Sequence, residues 1–429
     1  MPMPHATSQA LSREPRHAPR HDRRCRFCGA ALTESFCDLG AAPLSNRYLK
    51  AEQLGRMEPT YPLHAYLCAA CHLVQLEEFE SPEAIFGDYA YFSSYSESWL
   101  DHARRFAEGA ARRLGLNAGS LVVEIASNDG YLLQYFQRLG IPVLGIEPAA
   151  NVAKVAEAKG VPTLARFFGT ALAEELAAQG RAADLVVANN VLAHVPNLND
   201  FVAGLARALK PEGALSVEFP HLLRLIELNQ FDTIYHEHFS YFSFMTVEQV
   251  FAAHDLRIFD VEELPTHGGS LRIWACRHDA GHATHAAVRR VKTLEQAAGL
   301  DRVETYRGFG RRVREVKRAL LTFLVEAKGR GHQVVAYGAA AKGNTLLNYC
   351  GIRTDFIDYV VDRSPHKQGL YLPGTRIPIL APEHVAQTRP DYLLILPWNL
   401  KSEITAQMAH IRDWGGRFVV PIPQLEILP

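Results

Sequence analysis

The sequence predicts an α/β protein in three parts: a small cysteine-bearing N-terminal domain, a domain built on a seven-stranded sheet, and a smaller α/β domain at the C-terminus. Three observations predict it. Two C-x-x-C pairs stand about forty residues apart near the N-terminus. From Leu121 short apolar runs alternate with amphipathic stretches of helical period, the pattern of a parallel sheet covered by helices. A second run of the same alternation begins near Gly331, after a charged helical segment of residues 290–330. At 429 residues the chain exceeds what one hydrophobic core supports, so division into domains is expected.

In chain order, residues 1–24 end in "REPRHAPRHDRR" and have almost no periodic apolar pattern, which reads as a disordered tail. Next come "CRFC" (Cys25, Cys28) and "CAAC" (Cys68, Cys71). Two such knuckles match a closed tetrahedral zinc site that gives folding energy to a domain with little core. A redox pair would be a single C-x-x-C beside a thioredoxin-like unit. With no open coordination position, the zinc is expected to be structural. Cys37, Cys276 and Cys350 read as packed thiols.

The strands of the second part are "LVVEIA" (121–126), "VLGIEP" (143–148), "TLARFF" (163–168), "ADLVVAN" (183–189) and "GALSVEF" (213–219). Helices such as "GYLLQYFQRLG" and "DFVAGLARALKPEG" lie between them. A long polar-aromatic insertion follows, then a helix around "TVEQVFAAHDL", then two strand-like runs, "RIFDVEEL" and "SLRIWACR", joined by "PTHGG". Five parallel strands closed by such a hairpin fit a class I methyltransferase sheet better than a six-stranded dinucleotide fold. In the third part "HQVVAYGAAAKGNTLLNYC" reads as strand, glycine-rich turn and helix. "DYVVD", "DYLLILPWN" (391–399) and "RFVVPIP" supply further strands of a Rossmann-like unit. The domains are therefore expected at residues 25–85, 86–290 and 291–429.

Composition narrows the function. A net charge of -1 leaves no electrostatic footprint for a nucleic-acid backbone or an anionic membrane. No uninterrupted apolar run of about 18 residues appears, nor an apolar segment of signal-peptide type, so a cytoplasmic protein is expected.

Ligands of open α/β sheets sit outside the carboxyl ends of the strands. The first strand runs into "VEIASNDGYLL", where a dinucleotide fold would carry G-x-G-x-x-G to approach a pyrophosphate. Only Gly130 is left of that pattern. Asn128 and Asp129 suit a ligand bearing an ammonium or sulfonium instead, and Glu147, after the second strand, is placed to accept from a ribose diol. S-adenosylmethionine is therefore expected, with Glu124, Ala126, Asn128, Gly130, Glu147 and Asn189 around it. An acidic strand end that merely caps the next helix explains Asp129 better than Glu147.

The insertion carries "YHEHFSYFS", Tyr235 to Ser243, and "ANNVLAHVPN" follows the fourth strand. His194 should share a cleft with Tyr235, His236, Glu237 and His238. H-E-H is not H-E-x-x-H, so metal binding and a buried loop-fixing cluster stand as alternatives to proton transfer. Proton transfer suits an imidazole near neutrality whose carboxylate neighbour orients it. A base is needed where the methyl acceptor is a carbon beside a carbonyl, because loss of the proton gives an enolate that needs donors at its oxygen. In the C-terminal unit "GAAAKGNT" is a near miss for a P-loop, with Asn344 where Lys would stand. Its glycine-rich turn (Gly338, Gly343, Asn344) still suits a diphosphate, Lys342 adds charge, and Asp362 serves either a ribose or a turn.

The C-x-x-C pair, "GDYAYFSSYS" (87–96), "VEIASNDGYLL", "ANNVLAHV", "FDTIYHEHFSYFS", "THGGSLR" and "AYGAAAKGNT" together resemble the three-domain sugar C-methyltransferases of the tetronitrose and kijanose type. The resemblance covers nearly the whole chain after residue 24. It implies a zinc domain, an S-adenosylmethionine domain and a C-terminal Rossmann-like domain, with a nucleotide-linked (dTDP) 4-keto-deoxysugar between the last two. It gives acid-base work to His238 with support from Glu237, sets Tyr235 and Tyr89 at the keto oxygen, and makes His194 a cleft histidine. Methylation at C-3' in deoxysugar biosynthesis is the implied reaction; a monomer is expected, since a self-contained three-domain cleft needs no partner subunit. Methylation at C-5', a non-catalytic zinc scaffold and an NAD-dependent oxidoreductase are the alternatives.

Overall fold

The structure, a computed structural model, describes residues 23–86, 93–95 and 97–429. The first 22 residues of the expected tail, and Tyr89, lie outside the described residues.

The N-terminal part is an antiparallel meander of β1 (Glu34–Ala42), β2 (Tyr61–Leu67) and β3 (Val74–Leu76). It buries one face, where Phe36 stacks on Phe309 with ring centres 4.6 Å apart. The main sheet holds β4 (Val122–Ile125), β5 (Val143–Ile146), β6 (Thr163–Leu164), β7 (Ala183–Asn189) and β8 (Leu209–Pro220), all parallel. Strand β9 (Ser240–Tyr241), from the insertion, leaves this sheet and pairs antiparallel with β3, completing the order β1-β2-β3-β9. The hairpin β10 (Leu256–Leu264) and β11 (Ser270–Arg277) then closes the seven-stranded sheet antiparallel to β8, in the order β10-β11-β8-β7-β4-β5-β6.

The central strands read as unbroken apolar runs because helices cover both faces. All four residues of β4 and of β5 are buried. Two local expectations change. "TLARFF" keeps only two strand residues, since the chain turns at Arg166 (its N–H on Leu164 O, 2.9 Å) and Phe168 packs edge-on against Phe201 of the neighbouring helix. "DFVAGLARALKPEG" stops being helix at Ala208, because Pro211 disfavours the helical conformation of the residue before it, and Leu209 onward pairs with Ala183 as strand.

Helices Ala286–Ala297, Val303–Arg307 and Phe309–Gly329 carry the chain to the C-terminal sheet. There β12 (Val334–Tyr337), β13 (Val360–Val361), β14 (Ile379–Leu380), β15 (Tyr392–Ile395), β16 (Arg417–Val420) and β17 (Glu426–Leu428) lie in the order β14-β13-β12-β15-β16-β17, antiparallel only at the last pair. Short β14 and β17 escape the sequence pattern. One apolar cluster runs from the meander through Phe231 and Ile234 of the insertion into this sheet, fixing the three parts around one cleft. Among the described residues no helix is long and apolar enough to cross a membrane.

Candidate active site

A cavity of about 1250 Å³ opens at the carboxyl ends of β4, β5, β7 and β8. Its walls include Asn46 of the N-terminal part, His267 of the β10–β11 loop and Lys342 of the C-terminal part, so every domain contributes.

The end toward β4 is shaped by a turn in which Ala126, Asn128 and Gly130 all have positive φ (55°, 49° and 77°). Ala126, Asn128, Glu147 and Asn189 line the cavity. Glu147 Oε2 accepts from Asn128 N (3.0 Å) and Oε1 from Ala149 N (2.9 Å), so the acid after β5 braces the turn after β4 and keeps oxygen lone pairs for a diol. Burial pushes its carboxyl above the ordinary range. Two expected cofactor residues are not on the wall. Glu124 is buried beneath it, bonded by Tyr131 and pushed strongly toward the neutral acid by burial. Gly130 is needed for packing, since a Cβ there would come within 2.9 Å of Val161 Cγ2.

On the facing wall stand Thr233, Tyr235, His238 and His194, with the His194 and His238 rings 4.7 Å apart and nearly perpendicular. His238 Nδ1 lies 2.9 Å from Thr233 O. A carbonyl only accepts, so Nδ1 carries the proton and Nε2 the lone pair. Tyr235 Oη sits 2.8 Å from that Nε2 and donates to it. Burial, and behind it the charges of His194 and Lys342, push His238 well below the ordinary imidazole range. Burial takes His194 down to about 4, against its hydrogen bond to the Glu237 carbonyl. Both rings are therefore neutral near pH 7.

The rest of the motif faces elsewhere. The Glu237 carboxylate accepts from Asn46 Nδ2 (2.7 Å), so orientation of His238 falls to the Thr233 carbonyl rather than to Glu237. His236 is packed against Tyr61 and Phe79 with Nε2 on Pro62 O (3.1 Å), away from the cavity, because residues 235–238 form a turn, His238 N donating to Tyr235 O (2.8 Å), that brings Tyr235 and His238 together and leaves His236 on its other side.

Of the expected substrate residues in the C-terminal unit, Lys342 alone lines the cavity. Gly338 (φ 95°) leaves no room for a Cβ beside Pro397, and Gly343 none beside Leu396. Asn344 donates to Ser45 O, and Asp362 accepts from Ala339 N and Ser364 N, both at 2.8 Å. These four hold the turn together.

A charged cluster unseen in the sequence props the hairpin side. Glu218, at the end of β8, is bonded by His102 Nε2 (2.9 Å), Arg272 (2.8 Å) and Thr266 Oγ1 (2.8 Å). Burial alone would raise its carboxyl, but these partners hold it down to about 2. The cluster fixes the loop that presents His267, a residue of positive φ (55°) whose imidazole burial lowers to about 4. An acid and an arginine inside otherwise apolar strands, "SVEF" and "SLRIW", were the available signal.

The sulfurs of Cys25, Cys28, Cys68 and Cys71 all lie within 4.8 Å of one another, with the Cys25–Cys71 and Cys28–Cys68 pairs at 3.6 and 3.5 Å. Zinc at about 2.3 Å from four tetrahedral thiolates would set them about 3.8 Å apart, so the cluster fits the ion without rearrangement. Gln75 Nε2 donates to Cys25 Sγ (3.2 Å), while its own strand, β3, pairs with β9 just after His238. Cys37 and Cys350 are packed thiols pushed up to about 12 by burial, and Cys276 is likewise buried.

A seven-stranded sheet of this order, with a braced turn after its first strand, an acid after its second and a cavity over both, defines an S-adenosylmethionine-dependent methyltransferase. Residues 25–86 match a zinc binding domain model, 98–261 a methyltransferase domain and 265–423 a C-methyltransferase C-terminal domain. The C-methyltransferase NovU of Streptomyces niveus is 37% identical over 404 residues, covering 94% of this chain and 96% of that protein. The chain belongs to this C-methyltransferase family. A ubiquinone biosynthesis O-methyltransferase of Rhodopseudomonas palustris (strain TIE-1) is 30% identical over 152 residues, 30% of this chain and 60% of its own. The solved 1,6-didemethyltoxoflavin-N1-methyltransferase of Burkholderia thailandensis is 18% identical, with 48% of this chain and 95% of that one covered and a TM-score of 0.35. The cofactor is S-adenosylmethionine, and the cysteine cluster is the zinc site.

Proposed function

We propose that the enzyme methylates C-3' of a nucleotide-linked 4-keto-deoxysugar, with dTDP as the carrier, in deoxysugar biosynthesis. One observation carries the reading: the chain from Thr233 O through His238 to Tyr235 Oη, which leaves a neutral imidazole with its lone pair on the cavity side. A base of this kind is needed when the nucleophile is a carbon made reactive by deprotonation. His238 Nε2 takes the proton beside the carbonyl, and the freed Tyr235 hydroxyl, with Tyr89, donates to the enolate oxygen. His194 packs edge-on against the His238 ring in the same buried pocket. Glu147, Asn128, Ala126 and Asn189 hold the cofactor so that its methyl faces the acceptor carbon.

The functional domains are the zinc domain (25–85), the cofactor domain (86–290) and the nucleotide-sugar domain (291–429). Because one chain encloses the cavity, a cytoplasmic monomer suffices. The test is incubation with a dTDP-linked 4-keto-6-deoxyhexose in deuterium oxide without S-adenosylmethionine. Deuterium entering at C3 is expected. Entry only at C5 would move the methylation there, and no entry at either carbon would end the ketosugar reading.

A further inference from the structure

Among the described residues six cations line the cavity: Arg105, Arg113, Arg166, Arg272, Lys342 and Lys367. Five hold a carboxylate, on Asp101, Asp260, Glu175, Glu218 and Asp362 respectively. Among the described residues Lys342 is the one of the six with no carboxylate within 4.0 Å. Its ammonium lies 5.1 Å over the Trp398 ring and 3.5 Å from Asn399 Oδ1.

Its mounting ties it to the base. Trp398 Nε1 donates to Asp232 Oδ2 (2.7 Å), and the next residue, Thr233, offers the carbonyl that holds His238. One turn along from Lys342 on the helix Ala341–Cys350, Thr345 Oγ1 donates to Ile234 O (3.1 Å). Residues 232 to 234 are therefore bonded on one side to the base and on the other to the segments that carry the lysine. Lys342 is near enough for its charge to disfavour protonation of both His238 and His267.

Where a diphosphate is expected, the Ala339 peptide is occupied on both sides. Ala339 N is taken by Asp362, and Tyr48 Oη (2.6 Å) and Lys367 Nζ (2.8 Å) both donate to Ala339 O. A cation beside two neutral imidazoles and a phenol suits an oxygen that becomes anionic during reaction.

We propose that Lys342 is a catalytic residue that donates a hydrogen bond to the substrate's carbonyl oxygen and stabilises it as the enolate; this rests on the ketosugar reading above. His238 Nε2 removes the proton on the adjacent carbon, that C–H pair becomes a C=C bond, and the carbonyl π pair moves onto the oxygen facing Lys342. On transfer the oxygen pair re-forms the carbonyl and the carbon bonds the methyl. The S–CH3 pair stays on sulfur as S-adenosylhomocysteine, and His238 releases its proton to water. Burial lowers the lysine pKa against the pull of Asp232, which makes its N–H a better donor.

The test uses full-length Lys342→Met and Lys342→Gln with the same dTDP-linked ketosugar, and thymidine diphosphate and S-adenosylmethionine as binding probes. Deuterium entry and kcat are expected to fall about 10²- to 10³-fold, the scale of losing one oxyanion donor. Binding of both probes should stay within about threefold of wild type, the cofactor titration also reporting that the variants fold. Unimpaired exchange in either folded variant, or a tenfold loss of thymidine diphosphate affinity with kcat preserved, overturns the proposal. A wild-type enzyme that exchanges nothing overturns the ketosugar reading and this proposal with it.

Discussion

The turns after β4 and after β12 use the same device to different ends. In each, an acid at the end of the second strand of its unit accepts from a backbone N–H of the first turn and from the N–H two residues beyond itself. Glu147 takes Asn128 and Ala149, and Asp362 takes Ala339 and Ser364. Glu147 keeps a face on the cavity. Asp362 is covered by Lys367 at 3.7 Å, and its turn is closed by Tyr48 and Ser45 of the zinc domain. Local chain grammar thus specifies a braced turn, while the domain packed against it decides which of the turn's groups face the cavity.

Removing the zinc should break this contrast most completely, because Tyr48, Ser45 and Asn46 ride on the cysteine domain. Structural zinc commonly contributes on the order of 10 kcal/mol to such a domain. A strong chelator should therefore unfold it and abolish methyl transfer, read by circular dichroism and turnover together. Full activity in metal-free protein would contradict this. Next in size, His238→Asn should lower kcat about 10²- to 10⁴-fold, the range for a lost general base, with S-adenosylmethionine affinity unchanged by calorimetry.

Glu147→Ala and Asp362→Ala sharpen the comparison directly. The first should weaken S-adenosylmethionine binding about 10- to 100-fold, as expected when hydrogen bonds to a charged group are lost. The second should leave cofactor affinity alone and cost about 1–3 kcal/mol of stability through the unpaired amides, seen in urea unfolding. Were Asp362→Ala the variant that lost the cofactor, the two turns would have exchanged roles. The smallest effect is on pH. As the proposed base His238 must be neutral, and its pKa is depressed, so kcat/KM should hold as pH falls through the ordinary imidazole value of about 6.5 and drop only below it. An acid limb centred above that value would mean that the ring is solvated.

Much of the main sheet was legible. "ADLVVAN" and "SLRIWACR" coincide with β7 and β11, because strands buried on both faces leave strong apolar signatures. Two-residue strands such as β9 and β14 carry no such pattern, since tertiary pairing alone defines them. At the site, the motif "YHEH" falls on a segment that lines the cavity, but it does not report the partner of His238. Neighbourhood in sequence suggested Glu237 for His238, whereas the fold uses the Thr233 carbonyl, a backbone group that no side-chain motif reports. Asn46 was equally invisible, about 190 residues away from the glutamate it bonds. Gly130 was read as a mark of ligand approach, but the side chain of Val161 is what excludes a Cβ there.

The two-residue strand β9 also sets an order of events during synthesis. The outer edge of β3 has no strand partner until Ser240 and Tyr241 have left the ribosome, long after the fourth cysteine at position 71. An open strand edge is sticky, so a nascent chain can acquire its metal early yet stay vulnerable to mispairing until more than half of it has been translated. Truncations ending before residue 240 should accordingly aggregate even with zinc present.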